Sequence, residues 1–270
     1  MLKKITQKSR ISSPSRSVLI TGGSGSIGRA LLPKLIGNYK IYALGRRIES
    51  FSKEISGHKN FHFVSCDFLT AQSIPEIGKV DTIIHLGGMV AGKNISSDEY
   101  HQGNLHFTKL LLDFGEVKKV KKFVFASSVS VYGKQNCEID EESALLGVSD
   151  YARSKISAEK ILLEGKKIPC TIFRIGSVYG PENKSFVNKL ISLANRRIVP
   201  FPNSGRDTKN FIYIDDLLEF ILLELQKPRK INTIFNLVNP QKIVYRDLVK
   251  AIMNLCEIKF VLKIPVGPIL

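Results

Sequence analysis

18-VLITGGSGSIG-28 is the stretch on which the reading of this chain turns. Val18, Leu19 and Ile20 form a short β-branched, apolar run of the kind that makes a buried strand. A glycine turn follows, then Ile27, Leu31, Leu32, Leu35 and Ile36 at helical spacing. A strand, a tight turn and a helix in that order make a phosphate cradle. The helix N-terminus offers unpaired N–H groups and a partial positive charge. The turn needs glycine because a side chain would keep a pyrophosphate off the backbone. Gly23, Gly25 and Gly28 satisfy G-x-G-x-x-G, and Gly22, Gly25 and Gly28 satisfy G-x-x-G-x-x-G. Glycine spacing alone is also met by flexible loops, so the strand before it and the helix after it carry the dinucleotide reading.

Working outward, strands alternate with helices. Lys40–Leu44, Phe61–Ser65, Thr82–His85, Phe123–Ala126 and Cys170–Arg174 read as strands two to six, with one helix expected from about Ser97 to Gly115. This alternation predicts an α/β protein with a Rossmann-type, doubly wound parallel sheet covered on both faces. Past Pro181 the pattern loosens. A helix around Ser185–Arg196 precedes the Pro-rich 198-IVPFPNSG-205. The run 211-FIYI-214 enters a helix at 215–225, Ile234–Val238 is a short strand, and Tyr245–Cys256 is a last amphipathic helix. The expected organisation is a loose basic leader (1–16), a dinucleotide-binding domain (mainly 17–180, with 211–238 returning to it) and a small C-terminal substrate lobe (181–210 and 239–270).

Composition sets limits. The chain has 270 residues, 43% hydrophobic and 24% charged, which is ordinary for a globular protein. No run approaches the ~20 apolar residues of a membrane-spanning helix, and no secretory signal is visible. The expected location is therefore cytoplasmic. Cys66, Cys137, Cys170 and Cys256 are far apart and read as free thiols. The five histidines are scattered, so no metal site is expected. The net charge of +16 is spread along the chain without a nucleic-acid module, and reads as a solvated surface. The stretch 1-MLKKITQKSRISSPSR-16 is basic and without acids, and peripheral contact with an anionic membrane through it is one expectation.

Tyr151 and Lys155 stand four apart on an expected helix and so share a face. A tyrosine with a pKa of about 10 is a poor base near neutrality, and a nearby ammonium lowers that value. Ser128, at the end of the fifth strand, would place a hydroxyl at the mouth of the sheet, where ligands of open α/β sheets bind. At the tip of strand two there is no acid; Arg46 and Arg47 stand there instead, which suits the 2′-phosphate of NADP. Asp67, beyond strand three, is either an acceptor for an adenine amine or a turn residue. The exit 86-LGGMVAG-92 lets the backbone pass close to a cofactor.

With TGGSGSIG, IIHLGG, FASSVSVYG, YARSK, FRIGSVYGP and NFIYIDDL in this order from Thr21 to about Leu217, the chain resembles the extended short-chain dehydrogenases/reductases of the nucleotide-sugar epimerase/dehydratase family. The resemblance implies NAD(P) as cofactor, a nucleotide sugar as substrate, and a homodimer through helices near 100–115 and 150–165. It implies Tyr151 as acid/base, Lys155 as its pKa-lowering and ribose-binding partner, and Ser128 as the hydroxyl partner. Gly22, Gly25, Ser26, Ile27 and Gly28 would line the pyrophosphate turn. Asp67 and Phe68 would lie at the adenine end, with Leu86 and Gly87 along the cofactor. Ser177 and Lys209 occupy positions where the family often has a substrate asparagine and arginine. Gly87-Gly88 replaces the usual alanine pair. The Asp-Glu pair of sugar dehydratases is Val129-Ser130 here, which argues against dehydration. The stretch after Ile258 is short for the family, so the lobe is expected to be truncated or reduced.

These expectations lead to a 4-epimerase of nucleotide sugars. An NADPH-dependent reductase of a keto sugar or related carbonyl compound is the alternative, and Arg46 favours it. A non-catalytic dinucleotide sensor or scaffold on the same fold is the third reading, against which Ser128, Tyr151 and Lys155 argue.

Overall fold

The computed structural model describes residues 16–92, 94–135, 137–165, 167–181 and 185–266. All but Arg16 of the basic leader lies outside these residues. The amino-terminal part runs β1 (Ser17–Thr21), α1 (Ser26–Leu35), β2 (Lys40–Gly45), α2 (Lys53–Ser56), β3 (Phe61–Ser65) and β4 (Thr82–His85). Then come α3 (Ser97–Tyr100), a π-helical turn (His101–His106), α4 (Phe107–Val117), β5 (Lys122–Ser128), a 3-10 turn (Val129–Tyr132), α5 (Asp150–Glu164) and β6 (Cys170–Ile175). After these follow β7 (Ser177–Tyr179), α6 (Phe186–Asn195), β8 (Ile198–Pro202), β9 (Thr208–Lys209), β10 (Phe211–Tyr213) and α7 (Ile214–Gln226). The last elements are β11 (Thr233–Leu237), β12 (Ile243–Val244), α8 (Tyr245–Leu255) and β13 (Leu262–Val266).

Seven strands form one parallel sheet in the order β11-β6-β5-β4-β1-β2-β3. The order reverses between β1 and β4, and a crevice opens beyond the carboxyl ends of strands at such a switch point. Successive side chains of a strand face opposite ways, so each central strand feeds two cores. Val124 of β5 joins Val18, Ile20, Leu31 of α1 and Leu217 of α7 on one face. Phe123 and Phe125 join Leu19, Leu111 of α4 and Leu162 of α5 on the other. Burial on both faces explains why these strands read as continuous apolar runs.

A third core gathers Leu190 and Ala194 of α6, Val199 of β8, and Tyr245, Val249 and Ile252 of α8. Outside the main sheet are three two-stranded pairings, β10 with β7, β12 with β9, and β13 with β8.

Two expectations gain detail. The helix expected over 97–115 is present as a continuous run to Val117, made of α3, a π-helical turn and α4. The wider turn turns Asn104 inward, where it bonds Met89 and Ser154, a connection no sequence period reveals. The fifth strand extends through Ser128, because Ser127 and Ser128 continue the ladder with Arg174 and Ile175.

Candidate active site

A cleft of 230 Å³ lies at the carboxyl edge of the sheet. Ile27 from the first turn of α1, Leu86 to Val90 beyond β4, Ala126 to Ser128 of β5, Tyr151 and Lys155 of α5, and Ile175, Gly176 and Val178 beyond β6 line it.

The glycine turn is built for close approach. Gly22 has φ +69°, and a Cβ there would lie 2.6 Å from the Gly87 nitrogen. A Cβ on Gly28 would lie 2.3 Å from the Gly22 oxygen. Gly25 donates its N–H to the Gly22 carbonyl at 3.0 Å and is the N-cap of α1, with no side chain over the helix end. The N–H groups that open α1 at Ser26 and Ile27 thus have no side-chain cap. This is the cradle that a pyrophosphate requires, so the residues present fit a dinucleotide.

A directional chain of hydrogen bonds ties this turn to the rest of the cleft. The Thr108 hydroxyl donates to the Asn104 carbonyl, which has no hydrogen of its own. Thr108 therefore accepts from Nε2–H of His85 at 2.9 Å. That leaves Nδ1 as a bare acceptor, and Thr21 donates to it at 2.7 Å. The Gly87 N–H in turn donates to Thr21 Oγ1 at 3.0 Å. Full burial and then Lys155 hold the His85 pKa well below the usual value, so the ring is neutral. Asn104 continues the chain. It accepts from the Met89 N–H at 2.8 Å and donates to Ser154 Oγ at 2.8 Å, and Ser154 donates to the Tyr151 carbonyl at 2.8 Å.

On α5, capped by Ser149, Tyr151 and Lys155 both face the cleft. The Tyr151 phenol is pushed up by burial, opposed by a hydrogen bond with the Ser128 hydroxyl, with Tyr100 adding to the rise. Ser128 also accepts from the Ser130 N–H at 3.2 Å. Lys155 is buried; burial lowers its pKa to about 8, and Glu159 partly opposes this. Its ammonium donates to the Ala126 carbonyl at 2.9 Å and sits 4.6 Å from the centre of the Phe125 ring. In this structure desolvation is the largest influence on the phenol and raises its pKa, and the Lys155 ammonium is bonded to a carbonyl.

Sequence reasoning missed a buried polar cluster behind this wall. Arg174 grips Glu159, with Nη2 at 2.8 Å from Oε2, and donates to the Tyr132 hydroxyl at 2.7 Å. Ser127 donates to the same carboxylate, so of the serine pair only Ser128 is left to Tyr151. The signal was an arginine inside the apolar strand 170-CTIFRI-175 and a glutamate one turn beyond Lys155.

The remaining candidates lie apart from these. The Arg46 guanidinium sits 5.5 Å from the centre of the Phe68 ring. Asp67 Oδ1 accepts from the Leu69 N–H at 3.0 Å, as a turn residue does. Arg29, unremarked in the sequence, ties the glycine turn to the loop after β2 through the Ser24 and Ser50 carbonyls at 2.7 and 3.1 Å. Ser177 alternates with the cleft-lining Gly176 and Val178 and is not in the lining. Lys209 lies on β9 with its ammonium 4.9 Å from the centre of the Phe186 ring, and burial lowers its pKa against the pull of Asp207. Among the described residues no cluster of side chains suits a metal ion, and no helix is long and apolar enough to cross a membrane.

A family model described as NAD dependent epimerase/dehydratase family matches residues 18–237. The chain belongs to this family. A dTDP-D-glucose 4,6-dehydratase of Dictyostelium discoideum is 28% identical over 89% of this chain, and the chain spans 62% of that protein. A Bacillus subtilis protein named as an uncharacterized UDP-glucose epimerase is 27% identical over 82% of this chain and 76% of its own length. The fold is that of UDP-glucuronic acid 4-epimerase from Bacillus cereus, solved with UDP-glucuronic acid and NAD. The TM-score is 0.83 at 22% identity, covering 93% of this chain and 86% of that one.

Proposed function

We propose that this member of the family is a nucleotide-sugar 4-epimerase. The observation that carries the reading is one cleft lined jointly by the Gly87 backbone, the hydrogen-bonded Ser128 and Tyr151, and Lys155. Relatives named as dehydratases and as epimerases both match. Val129 and Ser130 argue between them, because elimination of water needs a carboxylate that these side chains lack.

In this reading Gly22, Gly25, Ser26, Ile27 and Gly28 hold the pyrophosphate of the cofactor, Leu86 and Gly87 flank it, and Asp67 and Phe68 lie at its adenine end. When bound, the nicotinamide supplies the place where a hydride is left and recovered. Tyr151 moves the proton of the sugar hydroxyl. Burial moves the phenol's pKa further above neutrality, and the Ser128 hydrogen bond is the influence that favours the phenolate. Ser128 also fixes the reacting oxygen. Lys155 is read as the group that holds the cofactor ribose and favours the phenolate when cofactor and substrate are bound. Ser177 and Lys209 are carried as substrate contacts from beyond the cleft. A homodimer through α4 and α5 belongs to the same reading.

A second reading has its own observation. Arg46 stacked on Phe68, with Gly45 and no acid at the end of β2, suits a 2′-phosphate and hence an NADPH-dependent reductase of a keto sugar. Mass spectrometry of nucleotide released from the denatured protein separates the two. Tightly held NAD with interconversion of 4-epimeric nucleotide sugars supports the epimerase. An empty site that takes NADPH in preference to NADH and consumes it supports the reductase.

A further inference from the structure

All seven strands of the main sheet are parallel, so their amino-terminal loops share the edge opposite the cleft. Backbone bonds stitch those loops together. Asp81 N–H donates to the Ser17 carbonyl at 3.0 Å, Lys121 N–H to the Asp81 carbonyl at 2.9 Å, and Phe123 N–H to the Pro169 carbonyl at 3.0 Å. At a strand spacing of ~4.8 Å the edge is about 29 Å wide.

This edge is cationic. Lys79, Lys119, Lys121, Lys167, Lys227 and Lys230 all project from it, exposed. Of its acids, Asp81 is taken by Lys121 at 3.1 Å and Glu116 by Lys167 at 2.6 Å, while Glu164, exposed at the end of α5, lies 3.9 Å from Lys160. Glu224 is buried between Lys122 and Arg229. Lys79, Lys119, Lys227 and Lys230 have no acidic partner among the described residues. Glu76, ahead of β4, is exposed beside them and subtracts one charge. Two apolar side chains stand out among these lysines, Val117 at 80% exposure and Ile231 at 73%. Val117 ends α4 just ahead of β5, and Ile231 lies just ahead of β11, two strands and about 10 Å along the edge.

We infer that the amino-terminal edge of the sheet docks on an anionic lipid bilayer, with lysines at the headgroups and Val117 and Ile231 inserted between them. Lysines alone suit any polyanion. Apolar side chains set among them suit a lipid interface, which rewards their burial, whereas a nucleic-acid backbone offers them nothing to bury against. The cleft then faces away from the bilayer, a strand length removed, and takes its substrate from water. The inference rests on the edge alone and is independent of the reaction catalysed in the cleft.

The test is co-sedimentation of the full chain with phosphatidylcholine vesicles, with and without phosphatidylglycerol, at physiological salt. Two variants are compared with wild type at matched melting temperature. The expected result is binding only to the anionic vesicles, falling as salt rises. The triple variant Lys79→Gln, Lys119→Gln, Lys230→Gln, which keeps residues 1–15 intact, is expected to bind about a hundredfold more weakly. Val117→Ser with Ile231→Ser is expected to bind severalfold more weakly with an unchanged salt slope. Wild type that ignores vesicle charge overturns the inference, and so does a triple variant that binds like wild type. A Val117/Ile231 variant of unaltered vesicle binding, with duplex DNA competing as well as lipid, identifies a general polyanion surface and also overturns it.

Discussion

The Thr21 hydroxyl lies 2.7 Å from Nδ1 of His85, a side-chain contact that reinforces the ladder between the ends of β1 and β4 at the point where the strand order reverses. It also fixes the Thr21 oxygen as acceptor for the Gly87 N–H, so the glycine wall of the cleft is held by a side chain of the neighbouring strand. Thr21→Val removes both hydrogen bonds while keeping the shape. The expected cost is about 2 kcal/mol, since a buried imidazole nitrogen and a backbone N–H lose their bonds. Thr21→Ser should restore most of it. Urea unfolding of the three proteins, with cofactor titration on each, checks this; equal stability and affinity for Val and Ser would remove the chain's role in positioning.

Gly28→Ala places a Cβ 2.3 Å from the Gly22 oxygen and 2.5 Å from the Gly23 Cα, both backbone atoms with little room to yield. A loss of about 3 kcal/mol in stability is expected, together with loss of dinucleotide binding, because the turn must open to admit the methyl. Calorimetric melting with and without added NAD reads both effects. A variant that melts like wild type and still gains stability from NAD would contradict the cradle.

Tyr151→Phe removes the phenol and its hydrogen bond with Ser128 but leaves α5 and the glycine turn untouched. The expected outcome is a turnover lower by about a hundredfold to ten-thousandfold, with cofactor affinity within a few-fold of wild type. Steady-state rates beside equilibrium binding make the comparison. Unchanged turnover would dismiss Tyr151 as the proton carrier.

Lys155 carries a pH signature. Burial lowers its pKa from 10.5 to about 8 in the folded chain. Between those two values the unfolded chain holds a proton that the folded chain has released, so this group makes stability rise with pH across that window. Below about pH 8 both states are charged, and the penalty for a buried ammonium is fully present. Lys155→Met should therefore gain on wild type near neutrality, and the gap should close as pH climbs toward 10.5. Urea midpoints for both proteins over that range test it, and a constant gap would mean that the lysine is not desolvated.

The dinucleotide preference proposed for Arg46 is open to a direct test. Its guanidinium sits 5.5 Å from the centre of the Phe68 ring, and the neighbouring Gly45 offers no acid. Arg46→Asp is expected to weaken NADPH by about tenfold or more and to strengthen NADH, as an acid there accepts from a ribose hydroxyl. Fluorescence titration with both nucleotides reads the switch. If both affinities stay put, Arg46 is a surface residue.

How much of this was legible depended on the range of the interaction concerned. The strand 18–21, its glycine turn and the helix after it are set by neighbours within a dozen residues, so periodicity and glycine placement revealed them. The alternation of strands and helices to Cys170, and hence a parallel sheet, followed from the same local patterns. Tyr151 and Lys155 on one helical face needed only the turn of a helix.

What the sequence alone did not decide are contacts across tens of residues. His85 looked like one of several scattered histidines until β1 and α4 brought Thr21 and Thr108 to its two nitrogens, 64 and 23 residues away. Glu159 and Arg174 looked like ordinary charges until burial on α5 and β6 forced them together. The pKa values of the pair are also shifted for a tertiary reason. Spacing placed an ammonium near a phenol, but packing desolvated both and turned the lysine to the Ala126 carbonyl, so burial rather than their proximity sets each pKa. Local pattern determined the elements and the residue types at the cleft; burial, a sum over the whole fold, determined their charge states and their partners.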